Sequence, residues 1–361
     1  MKIDISKVRV TPENIKEHCA VYKITDEVLE WIEVNGLQCT KHEKGYLNIF
    51  IDGLEYRYND LFSINQDCYY FDGFSPNLNK SLHMGHLSNL IYASALSNLC
   101  DYLTPVSILN DTDNHPEKER FYEEYKEYCS MFNYHTYRDY FSSEMNFVDF
   151  FDINGVRFIE EDDFKDRYLK EVEPRIFVSH TSDFENCIVV ESPKTKQLKV
   201  LVKSDGSTSY LNQDLDFARK LSQPILYLTG QEQESHFEIV KEFYPKNKHL
   251  TIGLITTNAE KMSSRKGNVI YLKDIIKQFD VNTLKDTFLN YNMSTFKNDV
   301  KIVQGVSECF KGVATRFENK KLYLIYLNAK NSLNPSLLYN ALKKESDNDK
   351  DFGLKLLGYG N

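Results

Sequence analysis

Apolar positions along this chain fall into short strand-like runs separated by longer stretches with helical spacing. Cys68, Tyr69, Tyr70 and Phe71 make an aromatic run suited to a buried strand, and Asp72 and Gly73 end it. A polar, proline-containing turn follows. His83-x-Gly85-His86 then opens a helix whose apolar face is Leu87, Leu90, Ile91, Ala95 and Leu99. Further strands are predicted at 105–109 and 225–228, and a hairpin from 187–190 and 198–202. Residues 117–151 read as helical and strongly aromatic, with a packed face favoured over base stacking. Ahead of the aromatic strand, 8–10 is a short apolar segment, 21–34 one amphipathic stretch, and 45–51 reads as a strand. Beyond an apolar stretch (Leu250, Ile252, Leu254, Ile255), 271–279 and 283–291 read as helices.

Composition narrows this picture. With 361 residues, 41% hydrophobic and 27% charged, the chain is long enough for one large core or two to three modest domains. No run approaches the roughly 20 apolar residues of a membrane span, and Met1-Lys2-Ile3-Asp4-Ile5 carries no apolar leader. Seven cysteines without a Cys-x-x-Cys pair argue against a zinc knuckle or a disulfide framework, so a cytoplasmic, non-membrane setting is expected. The net charge of −9 does not announce a nucleic-acid binder. Residues 297–330 nonetheless hold seven basic side chains against three acidic ones. They are the best candidate for such a face, although an ordinary solvated helix face is the favoured reading.

The chemistry concentrates at two places. A strand, tight turn and helix start make an anion site, where free backbone N–H groups and the helix dipole favour phosphate. Gly85 lets an anion approach the backbone, and His83 and His86 flank it as donors. Far downstream, Lys261-Met262-Ser263-Ser264-Arg265-Lys266-Gly267-Asn268 is a short basic loop. A polar cluster after the 105–109 strand puts Asn110, Asp111 or His115 at a cleft rim, or makes them a solvated loop with a helix cap.

The two motifs in this order resemble the signatures of class I aminoacyl-tRNA synthetases. The wording Ser75-Pro76-Asn77-x-x-Lys80-x-Leu82-His83-x-Gly85-His86 with Met262-Ser263-Ser264-Arg265-Lys266-Gly267-Asn268 resembles the arginyl-tRNA synthetase family. The likeness covers roughly 45–275 and implies an α/β fold, a Rossmann-type doubly wound parallel sheet. Around that core (67–275, with a helical insertion at about 117–180) stand a small N-terminal α+β domain (1–66) and a helical C-terminal segment (276–361). The resemblance also implies ATP with Mg²⁺, arginine as substrate and the acceptor arm of tRNA as partner. By that resemblance Lys80, His83, His86, Lys261 and Lys266 are catalytic, and Gly85, His236, Met262, Ser263 and Ser264 bind ATP. Asp72, Asn77, Tyr210, Asp214 and Gln233 bind the amino acid. Tyr210 and Asp214, one helical turn apart, would hold a guanidinium, since a planar five-donor cation suits a carboxylate beside a ring hydroxyl.

Departures from the family stand beside this. Asp72 replaces a glutamate and Asn212-Gln213 replaces Thr-Arg; set against the family, a shortened N-terminal domain and the absence of an anticodon-binding domain are expected. Two acceptors therefore remain open: tRNA, with a partner protein supplying missing contacts, or a non-tRNA acceptor of an arginine-like amino acid.

Overall fold

A computed structural model describes residues 1–9, 19–42, 44–50, 58–63, 67–110, 115–141, 176–192, 196–221, 223–253, 255–257, 260–261, 269–291, 302–303, 305–319 and 321–360. At its centre are five parallel strands: β1 (Tyr69–Asp72), β2 (Leu103–Leu109), β3 (Arg138–Phe141), β4 (Ile225–Gly230) and β5 (Lys248–Ile252). Their order is β5-β4-β1-β2-β3, every pairing parallel. The chain runs from β1 outward to β3, then returns to the other side of β1 for β4 and β5. Such a reversal opens a crevice at the carboxyl ends of β1 and β4, where open α/β sheets bind ligands.

Both faces of the sheet are covered, which is why its strands are apolar throughout. Phe71 packs into one core and Tyr70 against the other. On the first face lies α1 (Met84–Leu99), with Leu87, Leu90, Ala93, Ala95 and Leu96 buried. Strand and helix come so close that a Cβ on Gly73 would stand 2.7 Å from that of Ala93, so only glycine fits the strand exit. On the second face lie α3 (Tyr210–Lys220) and α4 (Glu234–Phe243), contributing Leu215, Phe217, Phe237 and Val240. The hairpin segment forms strands Ile188–Glu191 and Leu198–Val202, with Ile176–Val178 as third partner.

Three expectations need correction. The 117–151 stretch stops being helical at α2 (Lys118–Met131), because Asn133 adopts a left-handed conformation (φ 58°) that breaks the helix, and β3 follows. Residues 142–150 lie outside the described residues. The 21–34 stretch divides into a strand, Cys19–Lys23, and a helix, Asp26–Asn35, started by the Thr25 hydroxyl accepting from the Val28 amide. Those N-terminal strands form an antiparallel sheet in the order Val8–Arg9, Cys19–Lys23, Tyr46–Phe50, Cys39–Lys41. In place of a helix over 271–279 there is one turn, Leu272–Ile275.

After α5 (Val281–Leu289), three helices complete the first core: α6 (Lys321–Asn331), α7 (Pro335–Leu342) and α8 (Asp347–Leu356). Asp351 on α8 accepts four consecutive amides, those of Lys311, Gly312, Val313 and Ala314, and so fixes the preceding loop. Of the basic side chains in 297–330, Lys311 and Arg316 are exposed. Lys330 turns inward instead, its ammonium 2.6 Å from Asp101, and so leaves the candidate face. Lys297, Lys301 and Lys320 lie outside the described residues. Among the described residues no helix is long and apolar enough to cross a membrane.

Candidate active site

A cavity of about 420 Å³ opens at the reversal point of the sheet, a size typical of small-molecule sites. Asp72 enters it from the end of β1, and Asn77, Lys80, His83, Gly85 and His86 from the following turn and the first turn of α1. Tyr210 and Asp214 come from α3, Gln233 and His236 from the start of α4. Ten residues from segments far apart in the chain thus line one space. Of the remaining candidates, Met262, Ser263, Ser264 and Lys266 lie outside the described residues. For Lys261 only the backbone is described, in the short antiparallel ribbon Thr256–Thr257 with Glu260–Lys261.

At one end of the cavity the helix start is self-capped. His83 Nδ1 accepts from the Gly85 amide at 3.1 Å, and His86 Nδ1 accepts from the His83 amide at 3.1 Å, a reciprocal capping box. The Met84 amide donates to the Ile270 carbonyl at 3.0 Å. The expected free amides are therefore occupied at His83, Met84 and Gly85, and the donors left for a ligand belong to side chains. A ring whose Nδ1 accepts must carry its proton on Nε2, so each neutral imidazole offers one N–H. Burial, reinforced by the Lys80 cation, lowers His83 below its ordinary value. Burial with the neighbouring His83 and Lys80 lowers His86 well below it. The two rings stack with centroids 3.9 Å apart.

At the other end are acids. Asp72 accepts from the Ser75 hydroxyl, and Ser75 Oγ accepts from the Ile108 amide at 2.7 Å. Burial raises Asp72 to about 7; the Ser75 hydroxyl opposes the shift and nearby Asp214 adds to it. Asp214 Oδ2 lies 2.5 Å from His236 Nε2. Asn77 Nδ2 donates to the Tyr210 hydroxyl at 3.3 Å. Tyr227, paired with Asp72 across β4 and β1, buries a hydroxyl that has no hydrogen-bond partner among the described residues. Burial and the carboxyls of Asp214 and Asp72 push its pKa far up, which keeps it a neutral donor. An end lined by the carboxyls of Asp72 and Asp214 and by the Tyr210 hydroxyl suits a cationic, donor-rich group.

Of the three rim candidates, Asn110 lines the cavity. His115 instead accepts from the Glu117 amide at 3.3 Å, near the start of α2, and Asp111 lies outside the described residues. Sequence reasoning passed over Ser75, Asn89, Thr229 and Glu232, which also line the space. Asn89 was findable: it follows His86 by three positions on one helix face, and it donates to the Leu228 carbonyl at 3.2 Å, tying α1 to β4.

No protein-family model matches the sequence. Among curated relatives, the arginine–tRNA ligase of Lactobacillus johnsonii is 35% identical over 102 residues, 25% of this chain and 18% of the relative. That of Leuconostoc mesenteroides is 37% identical over 95 residues, 21% of this chain and 16% of the relative. The matched region thus spans less than a fifth of these relatives' length. Among solved structures, arginyl-tRNA synthetase from Thermus thermophilus superposes with a TM-score of 0.52 at 12% identity, covering 97% of this chain and 90% of that one. At that identity the likeness speaks for the fold alone, which is the α/β fold of class I synthetases.

Proposed function

We propose that the chain activates arginine with ATP to arginyl-adenylate and passes the arginyl group to tRNA. The observation that carries this reading is one cavity, at the reversal point of the sheet, with phosphate-type donors at one end and paired carboxyls at the other. Sequence similarity to arginine–tRNA ligases supports the same assignment.

In this reaction the α-carboxylate of arginine attacks the α-phosphorus of ATP and pyrophosphate leaves. No covalent bond to the protein forms, so the protein's task is alignment and charge stabilisation. The Nε2–H groups of His83 and His86 donate to phosphate oxygens, and Lys80 at the exposed rim adds a positive charge. The backbone at 270–272 pairs with 82–84, through Met84 N to Ile270 O at 3.0 Å and Leu272 N to Leu82 O at 2.9 Å. That pairing sets the chain two residues beyond the basic loop beside His83, which supports Lys261 and Lys266 as ligands of the leaving phosphates. Asp214 and Tyr210 receive the guanidinium, with Gln233 beside them, and Asp72 and Asn77 the other end of the amino acid.

The donors at the start of α1 are N–H groups and a cation, a set that fits phosphate and not a metal. Mg²⁺ would therefore be held through ATP, where it supplies charge neutralisation on the phosphates. Arginine-dependent exchange of pyrophosphate into ATP, run with and without tRNA, tests the proposal. Exchange is expected with arginine and absent with lysine, and no exchange under either condition overturns it.

A further inference from the structure

The acceptor needed for a guanidinium is already engaged. His236 Nε2 sits 2.5 Å from Asp214 Oδ2, and both side chains line the cavity, so the imidazole takes up one carboxylate oxygen within the space a ligand would enter. His236 lies in the first turn of α4, its side chain is 18% exposed, and its ring meets Phe237 edge-on at 4.8 Å. It therefore has an open side toward which it can rotate. A guanidinium held by both oxygens of Asp214 needs the space the imidazole fills. The hydroxyl of Tyr210 is engaged too, by Asn77 at 3.3 Å, but Tyr210 is half exposed and that bond is long.

We infer that His236 is a specificity-setting residue: in the free chain it occupies the ligand's place on Asp214, and it swings out when a cationic head group binds. This rests on the reading of the cavity as an arginine site, and it gives His236, held against Asp214, a role at that end in place of the ATP contact implied by the family resemblance. The ligand class follows from the geometry. Displacing an imidazole donor favours a head group that returns two N–H bonds, so guanidinium compounds win over single-point donors. Affinity for a ligand that needs Asp214 is lowered by the fraction of time His236 holds it. A ligand of the same backbone without the head group is indifferent to His236.

Calorimetric titration of the full chain with L-arginine, agmatine and norvaline tests this, using wild type, His236→Ala, His236→Asn, Asp214→Asn and the Ala/Asn double variant. With His236→Ala, arginine and agmatine are expected to bind about tenfold tighter, equivalent to about 1.4 kcal/mol. Norvaline should be unchanged. His236→Asn, a shorter donor, should fall between. On the Asp214→Asn background the His236 change should have no effect, because the two act as one unit. Weaker arginine binding in His236→Ala, or equal tightening of norvaline, overturns the inference and makes the ring a brace or a ligand contact. Arginine binding that is the same in Asp214→Asn and wild type overturns instead the arginine reading of this end. Absence of arginine binding in every form overturns both.

Discussion

The two ends of the cavity are built from similar groups put to opposite use. Each contains imidazole nitrogens engaged by a neighbour. At the α1 end the engaged atoms are Nδ1, the engagement is with backbone, and the Nε2–H groups are not spent on it. At the α3–α4 end the engaged atom is Nε2 itself, and its partner Asp214 is the group proposed to receive the ligand's head group. One end is ready before anything binds, while the other must exchange an internal partner for an external one. Internal hydrogen bonds thus preorganise a site when they use the atoms facing away from the ligand, and compete with it when they use the atoms facing it.

The comparison can be broken at the ready end first. His86→Ala removes a phosphate donor and the acceptor of the His83 amide together, so adenylate formation should fall by about a hundredfold or more. Binding of arginine alone should hardly change, and an unaltered pyrophosphate-exchange rate would remove His86 from the chemistry. The next largest effect belongs to the other end. Asp214→Asn should weaken arginine binding by roughly thirtyfold, the scale of one charged hydrogen-bonded contact, while ATP binding by the same titration stays put. Parallel losses of both ligands would show that Asp214 supports the fold rather than the head group.

Protonation sharpens the contrast. Asp72, raised to about 7 by burial, is mostly neutral at pH 6 and ionised at pH 8. A cation favours the ionised form, so arginine affinity should rise with pH through 7 and level off above it, with a proton released on binding near pH 6. Because the folded value is raised, the free chain holds a proton that the unfolded chain loses near 3.8, so Asp72 lowers stability as pH climbs from about 4 to 7. Asp72→Asn should then melt higher than wild type at pH 8, converge with it near pH 4, and flatten the arginine profile. Identical melting curves at pH 8 would contradict the buried acid. The histidines run the other way. Their lowered values place their contribution above pH 6.5, lost as pH falls through the folded values. The smallest effect is expected from Ser75→Ala. Losing the hydroxyl that favours the ionised Asp72 should move the midpoint of the arginine profile upward and cost about threefold in affinity at pH 7. A midpoint that moves down would reverse the assigned role of Ser75.

Much of this was legible along the chain because its cues are local. The aromatic run before Asp72, the helix spacing after His83, and the four-residue step from Tyr210 to Asp214 each state their own geometry. The end of α2 was not legible, because Tyr134, Tyr140 and Phe141 continue a helix-like aromatic spacing past Asn133, and only its left-handed backbone stops the helix. Nor was the strand within 21–34, whose residues 19–23 are decided by pairing with 46–50, a partner outside any local window. The occupied amides of His83 and Gly85 escaped for a subtler reason. The residues were recognised, but sequence does not say which nitrogen of a ring turns toward its own backbone.

That ring geometry limits what can replace it over generations. Position 83 must accept an amide close to the main chain and, on the same rigid plane, present a donor farther out. Asparagine reproduces the near acceptor but lacks the reach, and glutamine has the reach but leaves the cap loose. Tyrosine and serine each meet only one demand. A lineage that drifted from histidine here would have to give up either the first turn of α1 or its hold on the anion, with no intermediate substitution that keeps both.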